Sequence, residues 1–146
     1  MGASNKTTVR FVNPVPAAAA ARLFELLQIG DFSVQDYDGE GVDSLEELPQ
    51  GPVNLFASDI PLDLMESLVA LAESHGFSLL VHGDWQNDYE SEITGQILAY
   101  DAADQRKIDT WATANTHEPV ILLSEALKLD RAELIRRYAV PAELRE

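Results

Sequence analysis

From position 23 to position 105, between Arg22 and Arg106, the chain has no Lys or Arg, while the same window carries 18 Asp and Glu. None of those carboxylates has a basic neighbour inside the window, and an unpaired carboxylate taken out of water costs far more than one left hydrated. Local pairing of the acids in its loops is therefore unavailable, and those acids are expected to stay solvated. The window has a formal charge of −18 and the rest of the chain a net +3, which together give the −15 of the whole. The acid is regional. A field of that size repels nucleic acids, phosphorylated substrates and anionic membranes and attracts basic surfaces.

Composition sets the class of fold. At 146 residues and 46% hydrophobic the chain fits one globular domain that buries roughly two thirds of its unfolded surface. Disorder is not expected, despite the charge. There are no cysteines, which excludes disulfides and thiolate zinc sites and fits a reducing compartment. The first residues lack the apolar core of a signal peptide, and no apolar run of about 18 residues occurs. The expected location is cytoplasmic, with no membrane association.

Strand and helix signals alternate through the first hundred residues. Thr7 to Val12 predicts a strand, and Ala17 to Gln28 a helix with an apolar stripe of Leu23, Phe24 and Leu27, ended by Gly30. Phe32, Val34 and Tyr37 suggest a second strand, and Asp38 to Gly51 a polar loop with one helical turn at Ser44 to Leu48. Val53 to Ala57 predicts a strand. Ser58 or Asp59 then caps a helix with Pro61 in its first turn. Leu62, Met65, Leu68, Val69 and Ala72 form its inner face and Asp63, Glu66 and Glu73 its outer one, with Gly76 as the stop. Phe77 to His82 and Ile93 to Tyr100 predict two strands of a hairpin, because the connection GDWQNDYESE lacks helical periodicity.

The last third predicts helices. Asp101 can cap a helix holding Asp104, Ile108, Trp111 and Ala112, and Pro119 can open another with Leu122, Leu123, Ala126 and Leu127 turned inward. Asp130 and Glu133 make a capping-box-like start for a helix with Leu134, Ile135 and Tyr138, which Pro141 ends. The expected class is α+β: a split βαβ-like (ferredoxin-like) antiparallel or mixed sheet, helices on one face and a helical C-terminal segment. The expectation is one domain, a sheet-and-helix body over 1–101 with a helical extension over 102–146.

Motifs for chemistry are nearly absent. There is no Gly-rich phosphate loop, nucleophile elbow or HExxH. His82 and Asp84 flank Gly83 at a strand end, where an acid/base pair, or a metal pair completed by Asp88, Glu90 or Glu92, is conceivable. A strand-end histidine beside a solvated loop outweighs it. His75 suits a helix C-terminus, and His117 and Glu118, just before Pro119, suit a helix start. No catalytic residue, metal or cofactor is expected.

ILLSEALKLDRAELIRRY, Ile121 to Tyr138, resembles the closing helices of repressor-type helix-turn-helix domains. The resemblance is confined to that stretch and implies helix packing alone. A basic recognition helix upstream has no counterpart, since positions 101 to 120 hold only Arg106 and Lys107 as bases.

Function is expected to follow the acid. Carboxylates on a rigid surface can imitate phosphate rows and occupy the basic groove of a nuclease or other nucleic-acid-binding protein, as inhibitors of the anti-restriction or anti-CRISPR type do. Two clusters are the expected contact residues: Asp36, Asp38, Glu40, Asp43, Glu46 and Glu47, and then Asp84, Asp88, Glu90 and Glu92 with Trp85 and Tyr89 as aromatic anchors. The partner is a basic protein surface, and direct binding of nucleic acid is not expected. The alternative is a small enzyme or ligand-binding α+β domain whose acid only solubilises it, and a pocket lined by His82, Asp84 and Trp85 would favour that reading.

Overall fold

A computed structural model describes residues 5–34, 41–85, 95–113 and 118–144. Strand β1 (Asn5–Asn13) leads through helix α1 (Ala17–Ile29) to β2 (Gly51–Ser58), and α2 (Leu62–His75) leads on to β3 (Leu79–Trp85). Strands β4 (Gly95–Asp101), β5 (Arg106–Ala112) and the two-residue β6 (Pro119–Val120) follow, then α3 (Leu123–Ala126) and α4 (Arg131–Tyr138). The strands form one open sheet in the order β2-β1-β3-β4-β5-β6 with every neighbouring pair antiparallel. No helix among the described residues is long and apolar enough to cross a membrane.

The α+β class and the antiparallel sheet agree with the sequence, but the order is not ferredoxin-like. Strands β2 and β3 both run antiparallel to β1, hence parallel to each other, so α2 makes one crossover around β1. The second crossover is missing. Helix α1 joins β1 to its immediate antiparallel neighbour β2, and β3 to β6 continue as a meander.

Alternation along the strands divides the core in two. Val9 and Phe11 of β1, Val53, Leu55 and Ala57 of β2, Leu79 and Val81 of β3, and Leu98 and Tyr100 of β4 point to one face. Leu23, Leu26 and Leu27 of α1 and Met65, Leu68 and Ala72 of α2 cover it. Val42 and Leu48 are buried in the same core with Leu45 packed against it, which anchors residues 41–50 there. The Asn13 amide holds that segment too, donating to the Pro49 carbonyl at 3.2 Å. On the opposite face Leu80, Ile97, Ala99, Ile108 and Ala112 form a smaller core closed by Leu144, with Val140 against it. The molecule is thus a sheet between a helical layer and its own C-terminal segment.

The helix ends have specific causes. Neither Ser58 nor Asp59 caps α2, because Pro61 is the N-cap residue, without a side-chain bond, and Asp59 takes a left-handed turn with φ of 58°. Gly76 ends the helix at φ of 72°, a conformation that suits a residue lacking Cβ, and its N–H donates to the Ala72 carbonyl at 2.8 Å. Leu64 takes the inner position expected of Leu62, which is exposed. For α4 the expected cap is present: Asp130 Oδ1 accepts from the Glu133 N–H at 2.8 Å.

Four other expectations are corrected. Residues 106–112 are a strand and not a helix: Ile108, Thr110 and Ala112 are buried and Lys107, Asp109 and Trp111 exposed, a period of two. Asp101 and Gln105, the latter at φ of 50°, bound the turn that returns the chain from β4. Pro119 enters the sheet as β6 instead of opening a helix, and α3 is a single turn. Leu122, Leu123 and Leu127 are consequently 70%, 72% and 77% exposed, since one turn beyond an edge strand has no inner face to fill. The strand expected at Phe32 to Tyr37 is, among the described residues, a single bridge from Ser33 to Phe56 that covers the outer edge of β2.

Candidate functional site

Much of the acid window folds into the helical layer and the segments that join it to the sheet, while Asp84 lies on β3 and Asp101 is buried at the end of β4. Asp31, Asp43, Glu46, Glu47, Asp59, Asp63 and Glu66 are all exposed. None forms an ion pair with another described residue. Gly30, at the end of α1, lies against Leu64 in the first turn of α2, which brings Asp31 to the same end of the layer as Asp59 and Asp63. Asp31 and Asp43 share a surface hollow with Gln28, Gly41 and Val42. The described Arg22 and Lys107 on this side are already engaged: Arg22 Nη1 lies 2.6 Å from Glu25, and Lys107 Nζ 3.5 Å from Glu73.

Of the first expected cluster, Asp43, Glu46 and Glu47 stand in this surface, while Asp36, Asp38 and Glu40 lie outside the described residues. Ser44 holds the short 3-10 turn over Leu45–Glu47, its hydroxyl accepting from the Glu46 N–H at 3.1 Å, so Glu46 and Glu47 are presented on ordered backbone. Asp31, Asp59, Asp63 and Glu66 are not among the expected contacts. The spacing of Asp63 and Glu66 on the outer face of α2 is a legible sign of them; the left-handed turns that expose Asp31 and Asp59 are not.

The second cluster is only partly in view. Asp84 sits on β3 directly opposite Lys6 of β1, a cross-strand pairing that favours opposite charges. Trp85 ends β3, and its side chain, like Asp88, Tyr89, Glu90 and Glu92, lies outside the described residues. His82 is 2% exposed, and its Nε2 lies 3.2 Å from the Thr113 carbonyl, so the ring is committed to the interior of the sheet. Neither His82 nor Asp84 lines any of the four best-formed cavities, and among the described residues no three metal-binding side chains cluster.

A cavity does exist elsewhere. It has a volume of about 380 Å³ and lies between the sheet and α4. Thr8, Arg10 and Asn54 form its polar floor, and Leu80, Leu134, Ile135, Val140 and Leu144 supply apolar walls. Arg10 Nη1 donates to Asn54 Oδ1 at 2.9 Å. The signal in the sequence is an arginine inside the apolar run of β1, on a strand with neighbours on both sides.

The C-terminal segment carries most of the remaining bases, and they are largely neutralised. Arg106 lies 3.4 Å from Asp101 and 3.7 Å from Asp104 and donates to the Ala139 carbonyl at 2.7 Å, which ties the end of α4 to the sheet. Glu133 accepts from Arg136 at 2.6 Å and from Arg137 at 2.9 Å. Those bonds, Arg136 first, hold its carboxyl at about 2, well below the ordinary 4.5. Unpaired acid is thus concentrated over α1 and α2, whereas the C-terminal segment mixes paired charge with Glu118, Asp130 and Glu143, which are exposed and form no ion pair with a described residue. Comparison of the chain with protein families, with curated proteins and with solved structures finds no match.

Proposed function

We propose that the protein is a non-enzymatic acidic binder whose helical layer docks on a basic, nucleic-acid-binding partner by charge mimicry, as an inhibitor of the anti-restriction or anti-CRISPR type does. One observation carries this reading: seven exposed carboxylates without ion-pair partners among the described residues lie on one side of the sheet. Acid that served solubility alone would gain nothing from being concentrated in one layer, and only Glu118, Asp130 and Glu143 are comparably exposed and unpaired in the C-terminal segment. Such a concentration creates a directed field, which speeds encounter with a basic surface and orients it. The helices and the capped turn supply rigidity, so few side chains lose freedom on docking.

The test is capture followed by competition. The immobilised protein is exposed to lysate of its native host at low and high salt, because screening shortens the reach of the field from about 30 Å at 0.01 M to about 3 Å at 1 M salt. A partner retained at low salt and released at high salt is then assayed for nucleic-acid binding with and without the acidic protein. The expected result is loss of that binding on addition of the protein. Capture insensitive to salt, or a partner that holds its nucleic acid equally well in its presence, overturns the proposal.

A further inference from the structure

We propose that the cavity beneath α4 binds an apolar molecule bearing a single carboxylate, with Arg10 as the anchor of that head group. The site lies on the face of the sheet opposite the acid layer and does not depend on the binding role proposed above.

Two arginines occupy this face, and they differ in what meets their charge. Arg106 has Asp101 and Asp104 within ion-pair distance and a backbone carbonyl besides. Both have a buried Nε with no hydrogen-bond acceptor among the described residues, but Arg10 forms no ion pair with any of them, and its described hydrogen-bond acceptor is the neutral Asn54 amide. A partly buried guanidinium left with so little compensation is costly, and a carboxylate satisfies it in the two-pronged geometry the group is built for. Arg10 sits on β1, held in register between β2 and β3, so the charge is fixed in place.

The surroundings define the remainder of the ligand. A volume of about 380 Å³ is within the range of small-molecule sites. Leu80, Leu134, Ile135, Val140 and Leu144 offer an aliphatic body its burial, the main source of affinity for such a molecule. Glu118, the one carboxylate in the described lining, and the −15 of the chain oppose a multiply charged anion such as a phosphate. A monocarboxylate meets both conditions.

The experiment titrates isotopically labelled full-length protein with octanoate, below the concentration at which it forms micelles, and with 1-octanol as the uncharged probe of equal chain length. Octanoate is expected to shift the methyl resonances of Leu80, Leu134, Ile135 and Leu144 and the Arg10 Nε–H resonance saturably. Octanol should bind at least about tenfold more weakly, the loss of one charge-assisted contact. Arg10→Gln should weaken octanoate by a similar factor while leaving octanol unchanged. Absence of saturable shifts at those methyls, equal affinity for the two probes, or undiminished octanoate binding by Arg10→Gln overturns the proposal. Should Arg10→Gln not fold, the comparison of probes on the unaltered protein decides.

Discussion

Replacing Gly95 with alanine tests how the sheet accommodates its buried histidine. Gly95 opens β4 opposite Asp84 and Ala112, and a Cβ built there would lie 2.7 Å from His82 Nε2, 3.0 Å from the Ala112 carbonyl oxygen and 3.3 Å from that of Thr113. The missing side chain leaves room for the imidazole to lie across the backbone and reach the Thr113 carbonyl at 3.2 Å. So short a contact with the ring cannot persist. The ring must turn away, giving up its bond, or β4 must separate from β5, and either response falls in the range of about 1–3 kcal/mol seen when one methyl group is forced into a packed interior. Equilibrium unfolding in urea should show that loss as a lower midpoint with an unchanged slope. The cause is isolated by repeating the change in a His82→Ala background, where the closest contact is gone and only the two carbonyl contacts remain; there Gly95→Ala should cost measurably less. An equal cost in both backgrounds, or a cost below about 0.5 kcal/mol in the parent, refutes the reasoning.

Gly76→Ala places a Cβ at φ of 72° where no atom lies within 4 Å, so the penalty is conformational only. Calorimetry should show a loss of about 1–2 kcal/mol, and an unchanged melting temperature would contradict the left-handed end of α2. Glu133 has its folded pKa lowered from 4.5 to about 2 by its bonds to Arg136 and Arg137, so its contribution to α4 is complete above pH 4.5 and is lost as the pH falls through about 2. The helical chemical shifts of α4 should therefore survive below pH 4.5 and fade toward 2. In Glu133→Gln that dependence should vanish, and a midpoint near 4.5 in the parent would contradict it.

The parts legible in the sequence are those where one physical signal stands alone. The apolar spacing of α2, its glycine stop and the alanine-rich α1 allow no competing period, and β1 and β2 are bounded by turn residues. Arg106 to Ala112 reads as helix in the sequence because Ile108, Trp111 and Ala112 fall at helical spacing, while the strand face is carried by Ile108, Thr110 and Ala112, one of them polar. What decides is pairing with β4, a long-range fact. The leucines around α3 read as inward-facing because apolar residues usually are, but a single turn beyond an edge strand has no layer to meet. The acid surface is legible as charge, and its position is not: the crossover of α2 around β1 places Asp63 and Glu66 in the same layer as Asp43 and Glu46. Arg10 is visible only as an anomaly in an apolar strand, since the segment that roofs it arrives from the far end of the chain.

The central claim is that the position of the acid matters, beyond its amount. Two triple variants make that separable: Asp43, Glu46 and Glu66 to Lys in the helical layer, and Glu118, Glu125 and Glu143 to Lys outside it, all six residues being exposed. Both triples change net charge equally, and each surface change should alter stability by no more than about 0.5 kcal/mol. The measurement is the affinity of each variant for the salt-sensitive partner at fixed ionic strength. The account predicts that the helical-layer triple loses at least about a hundredfold, on the order of 1 kcal/mol for each reversed contact, while the other triple stays within a few-fold of the parent. Equal losses from both would mean that net charge alone draws the partner, and full binding by the helical-layer triple would mean that this surface is not where it docks.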